Sequence, residues 1–117
     1  MMYVLLIHRA LPPDDPRSAA DEAAVLRRHR ALQAEALGRG ELRAVARLDE
    51  PATARTVRKR DDGFTVTDGP YLETKEWLVG FYLVECTDEA SAVARARQLC
   101  QDDGSVEVRP VTWQRVP

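Results

Sequence analysis

In this chain of 117 residues the groups best suited to move a proton near neutral pH are His29, His8 and the carboxylate of Asp68. At helical spacing Val25, Leu26, Leu32, Ala36 and Leu37 form one apolar arc, and His29 falls near its middle, so its ring should face the core. A histidine placed there acts as general acid or base if a ligand cavity reaches it; the other reading is a hydrogen-bonded histidine at the edge of the core. His8 closes an apolar strand and is the second candidate, and Tyr82 or another strand residue could orient either ring. Arg27, Arg28 and Arg30 flank His29 as a solvated helix face, with the attraction of an anionic substrate as the alternative.

Asp68 begins the turn Asp68-Gly69-Pro70, where Gly69 supplies backbone freedom and Pro70 fixes its own angle. Its side chain either stabilises that turn or serves as a base or as the orienting partner of a histidine. Glu73 and Lys75, two apart and hence on one side of a strand, are either charge partners at a cavity mouth or a surface ion pair. Tyr71 is an aromatic wall for a ligand or an anchor for the loop. This polar loop feeds the apolar run Trp77 to Val84, which sets charged side chains at the rim of a core, where a small-molecule site would sit.

The elements that must position these groups follow from pattern. Tyr3 to His8 is a continuous apolar run, as a central strand covered on both faces requires, and it ends before the loop Pro12-Pro13-Asp14-Asp15-Pro16. Ser18 with Asp21 and Glu22 predicts a helix start, and the helix should run to about Leu37, with Gly38 and Gly40 as left-handed terminators. Short strands are expected over Leu42 to Arg47 and Thr53 to Arg60, then a turn at Asp61-Asp62-Gly63 and a return strand Phe64 to Thr67. Trp77 to Glu85 is the second central strand. Asp88 caps a last helix with Ala90, Val93, Ala96 and Cys100 inward, and Val106 to Thr112 supplies the final strand. The order is βαβ-βαβ with a hairpin inserted in the middle, in one α+β domain spanning residues 1–117.

A four-stranded antiparallel sheet with two helices on one face leaves its other face open, and the two central strands are apolar both ways. A homodimer paired through the sheets is expected to cover that face, the alternative being a monomer whose inserted hairpin folds over it. Net charge of −2 gives no general attraction for nucleic acid or anionic membrane, and the basic cluster Arg55, Arg58, Lys59 and Arg60 lacks the interleaved aromatics of a single-strand platform. No apolar run approaches the roughly 20 residues that span a bilayer, and no signal peptide is apparent, so a cytoplasmic location is expected. Cys86 and Cys100 read as reduced core residues. No phosphate loop, nucleophile elbow or metal motif appears, so no cofactor is expected.

Asp68-Gly69-Pro70-Tyr71, Glu73-Thr74-Lys75-Glu76, Gly80-Phe81-Tyr82-Leu83 and Gly104-Ser105-Val106-Glu107-Val108-Arg109-Pro110-Val111 resemble the YCII-related group known as DGPF proteins, with Tyr71 in place of the family's Phe. The likeness extends to Tyr3 to Ile7 and to Pro51 to Arg58. It implies a ferredoxin-like α+β subunit that pairs into a dimeric α/β barrel, without an assigned activity. Smaller YCII relatives carry a helix histidine at a similar distance before a glycine as His29 stands before Gly40, and an active-site role has been proposed for it. Their acidic partner near the end of the first strand has no counterpart here, where the chain reads Ile7-His8-Arg9. Two function classes follow. One is a cofactor-free enzyme moving protons on an oxygenated or anionic small molecule, with His29 as the acid/base group and Asp68 as its helper. The other is a non-catalytic ligand-sensing or accessory module, since DGPF proteins are often seen beside extracytoplasmic-function sigma factors.

Overall fold

The computed structural model describes residues 1–10, 17–69 and 76–115. Both long apolar runs become the inner strands of one antiparallel sheet. Strand β1 (Met2–Arg9) pairs on one side with β5 (Trp77–Glu85) and on the other with β6 (Gly104–Pro110), while β2 (Leu42–Arg47) pairs with the outer edge of β5. The order β2-β5-β1-β6 is that of two interleaved split βαβ units, a ferredoxin-like α+β arrangement. Strands β3 (Arg55–Arg60) and β4 (Gly63–Asp68) pair only with each other, preceded by a single 3-10 turn at Pro51–Thr53.

Helices α1 (Ala19–Gly38) and α2 (Glu89–Leu99) lie on one face of the four-stranded sheet. The Ser18 hydroxyl caps α1 by accepting the Asp21 backbone N–H at 3.1 Å, and the Asp88 carboxylate caps α2 by accepting that of Ser91 at 2.8 Å. Gly40, not Gly38, terminates α1: with φ of 71° its N–H reaches the Leu37 carbonyl, and the next N–H, from Glu41, reaches that of Ala36. Gly38 remains helical because one left-handed residue is enough to close the helix end.

Facing Cα partners Tyr3 and Val84, and Leu5 and Tyr82, point toward the helices, where they pack with Leu32 and Ala36 of α1 and Ala92, Ala96 and Leu99 of α2. The alternate residues Val4, Leu6, Phe81 and Leu83 point away from the helices and are half-buried.

Several positions depart from the pattern expected of the sequence. The inward stripe of α1 is narrower, with Leu26 and Leu37 exposed. The inward face of α2 is Ala92, Arg95, Ala96 and Leu99, whereas Ala90 and Cys100 face solvent. Hydrophobic periodicity misphases this helix because a cation occupies an inward position: Arg95 is buried against Glu35 at 3.1 Å and Glu41 at 2.9 Å, tying α2 to α1 and to the approach to β2. Of the two free cysteines, only Cys86 is buried. In the β3–β4 turn the left-handed backbone belongs to Asp61, with φ of 49°, and Gly63 already begins β4. Aspartate tolerates that conformation better than most side chains. Strand β6 starts at Gly104 and stops at Pro110, two residues earlier at each end than the pattern suggests, because Gly104 already pairs with Arg9. A Cβ there would collide with the His8 carbonyl oxygen, so only glycine fits.

Leu5 is fully buried beside Tyr82 at the centre of the sheet. Leu5→Ala should therefore lower stability by about 2–5 kcal/mol, read as a reduced midpoint in urea at unchanged slope.

Candidate functional site

Between the first half of α1 and the helix-facing side of β1, β5 and β2 lies a cavity of about 340 Å³. Its walls are apolar at Ile7, Val25, Val45 and Val79, and its polar centre is formed by His29, Gln33 and Tyr82. Volume and lining match the usual character of a small-molecule site, a mostly apolar cleft with a few convergent polar groups.

The local geometry follows from spacing. On α1, positions 25, 29, 32 and 36 share one face, and burial of Leu32 and Ala36 presses that face onto the sheet. His29 and Gln33, one turn apart, are thereby carried over Tyr82 of β5. The His29 Nδ1 lies 2.8 Å from the Tyr82 Oη, and the Gln33 amide donates to the same oxygen at 3.0 Å. The His29 and Tyr82 rings stack, with centroids 5.7 Å apart and planes inclined by 23°.

Tyr82 is 1% exposed, so its phenol proton needs an acceptor inside the protein. With Gln33 donating to the oxygen, the acceptor in reach among the described residues is His29 Nδ1, and we assign the O–H to it. The neutral imidazole then carries its proton on Nε2, which bonds to no described residue. Burial lowers the pKa of His29, and the positive charges of Arg17 and Arg47 lower it further against the opposing pull of Glu22. Burial raises that of Tyr82, opposed by the Gln33 hydrogen bond. The pair thus rests neutral at neutral pH, with an imidazole N–H offered to the cavity.

Charges gather at the rim. Arg9 and Arg17 both line the cavity, and both bind Asp103, at 3.1 Å and 3.0 Å. Burial alone would raise the Asp103 carboxyl, but the hydrogen bonds and charges of Arg17 and Arg9 outweigh it and hold it below the usual carboxylate range. Glu22, 3.6 Å from Arg17, together with Asp49, Glu50 and Arg47, completes the charged rim.

Of the residues singled out in the sequence, His29 and Tyr82 come together here. His8 does not line the cavity; its Nε2 lies 3.8 Å from a carboxylate oxygen of Glu107 on β6. Asp68, exposed at the end of β4, pairs with Arg55 at 3.3 Å and also stands outside the cavity lining. Tyr71, Glu73 and Lys75 lie outside the described residues. Sequence reasoning missed Gln33, although its place one turn after His29 signals a shared helix face. It also missed Arg47, which alternates with Val45 on one side of β2, and Asp103, for which no local pattern points to Arg9 or Arg17. Among the described residues no cluster of three or more side chains could hold a metal ion, and no helix is long and apolar enough to cross a membrane.

A family model described as a YCII-related domain matches residues 1–114. An uncharacterized protein of Rhizobium meliloti (strain 1021) is 36% identical over 114 residues, covering 95% of this chain and 92% of its own length.

Because folding lowers the His29 pKa, the unfolded chain binds more protons than the native one as pH falls through about 6.5, the ordinary histidine value. The contribution of neutral His29 is therefore present above that value and is lost as the medium is acidified toward the depressed native pKa. Melting temperatures of wild type should fall between pH 7.5 and 5.5, and His29→Gln should flatten that slope. Loss of the Asp103 contribution belongs to a separate window below about pH 4, because its depressed pKa keeps it charged until then.

Proposed function

The chain belongs to the YCII-related family, and for this chain we propose that the cavity binds a small oxygenated molecule on which His29 does proton chemistry without a cofactor, in a reaction of the isomerase or lyase type. The observation that carries the reading is the 2.8 Å contact of the buried Tyr82 hydroxyl with His29 Nδ1; with the hydroxyl as donor, it leaves an imidazole N–H to face a ligand-sized space.

A neutral imidazole is a weak acid, suited to stabilising an oxyanion that forms transiently. A substrate carbonyl oxygen would accept the Nε2–H bond. As a carboxylate of the rim, Glu22, Asp49 or Glu50, removes a proton from the adjacent carbon, the bonding pair moves toward that oxygen and is held by His29. Return of the proton to a different carbon is isomerisation; loss of a leaving group with its electron pair is elimination. Tyr82 and Gln33 position the ring, and the raised Tyr82 pKa keeps the phenol protonated as the donor to Nδ1. Asp68 takes no step in this scheme, because it does not line the cavity.

The assembly belongs to the same reading. Val4, Leu6, Phe81 and Leu83 make the face away from the helices apolar, and a second copy packed sheet to sheet as a dimeric barrel would exclude water from it. Phe81→Glu should shift the protein from dimer to monomer in sedimentation velocity; a wild type that sediments as a monomer at micromolar concentration overturns the pairing.

A panel of small carbonyl compounds, phenols, lactones and quinones, scored by thermal shift with product analysis by mass spectrometry, tests the chemistry. A ligand converted by wild type should bind His29→Gln within a few-fold but be turned over at least about 100-fold more slowly, the usual scale for loss of one acid/base or oxyanion-stabilising group. Binding with no conversion by either protein would defeat catalysis and leave a ligand-sensing module.

A further inference from the structure

Three arginines line the cavity, and they differ in what they already hold. Arg9 and Arg17 share the carboxylate of Asp103, and Arg17 also faces Glu22. The side chain of Arg47, the last residue of β2, makes no hydrogen bond or ion pair with any described residue. It is nevertheless committed to this site by the sheet: its Cα partner on β5 is Gly80, two residues from Tyr82, so both stand on the side facing α1. Gly80 contributes no side chain beside the arginine stem. A Cβ there would lie 2.7 Å from the Ala46 carbonyl oxygen, so the strand contact that keeps Gly80 bare also keeps this part of the cavity open.

An arginine without a carboxylate partner among the described residues, beside apolar walls and a neutral imidazole N–H, is half of a charge-assisted pair. We propose that Arg47 anchors the ligand by its anionic head, and that the ligand is a small monocarboxylic acid whose apolar body lies over Ile7, Val25 and Val79 while a second oxygen reaches His29 Nε2–H. This rests on the cavity being a ligand site, as proposed above, and adds the charge of the ligand and the residue that reads it. One negative charge fits better than two. Glu22, Asp49 and Glu50 also line the cavity, so a phosphate dianion would meet three carboxylates with one uncommitted cation to offset them.

Benzoate and benzamide, equal in shape and different in charge, separate the alternatives when titrated into the full chain and followed by the imidazole resonances of His29. With two histidines in the chain, the His29 signals are identified by their absence from His29→Gln. Benzoate should move them in wild type and bind about tenfold more tightly than benzamide, the scale of one exposed charge-assisted contact. Arg47→Gln, folded and melting as wild type does, should weaken benzoate about tenfold, leave benzamide unchanged, and be partly rescued by Arg47→Lys. Benzamide binding as tightly as benzoate, or benzoate binding unchanged in Arg47→Gln, overturns the anchor and leaves the cavity as a site for neutral ligands. His29 resonances that respond to neither probe overturn the anchor and the ligand site together.

Discussion

A phenol hydroxyl in the middle of a sheet has to be satisfied, and much of this structure can be understood from how Tyr82 solves that problem. An unpaired buried hydroxyl costs roughly 1–3 kcal/mol, a large share of the stability of a domain this size. The sheet itself offers no partner, because backbone groups of β5 are used by β1 and β2. Helix α1 supplies both, through His29 and Gln33. Apolar burial of Leu32 and Ala36 brings the helix down, but apolar contact is non-directional; the polar pair fixes where along the sheet the helix must rest. The side chains that satisfy Tyr82 also stop short of filling the space toward Val25 and Val45, which is where the cavity opens.

The interior of the site is neutral and its rim is charged, and the two depend on each other. Partial burial and the nearby arginines both disfavour an imidazolium, so His29 rests neutral. Of these, Arg17 is offset by Asp103, which it shares with Arg9, so that the end of β1 is joined to the chain before α1 and before β6. Away from the cavity Arg95 follows the same rule, buried between two glutamates that hold α2 against α1. Removing one member of such a set leaves a charge in a poorly solvated place, which makes these groups structural even though they are polar.

Where local rules act alone, the sequence is a good guide. The two apolar runs had to be central strands, Ser18 and Asp88 had to cap helices, and a glycine had to end α1. The inward position of His29 followed from the arc that Val25, Leu32 and Ala36 share with it. The pattern failed where a side chain's place was set by something distant. Arg95 takes an inward position that hydrophobicity assigns to an apolar residue, because Glu35 and Glu41 are there to receive it. Cys100 is exposed because α2 ends at Leu99 and the backbone is already extended at the cysteine.

The site divides along this line. The sequence by itself determined that His29 is carried inward on a helix and that Tyr82 lies in a central strand, since side-chain period and burial are properties of a segment. Only the tertiary structure decided that the two meet, across 53 residues of chain. It also decided which ring nitrogen the meeting consumes, and that the Arg47 side chain meets no partner among the described residues while Arg9 and Arg17 meet Asp103. Those outcomes depend on distances between elements, and a hydrogen bond or ion pair acts over a few ångströms of space whatever the separation along the chain.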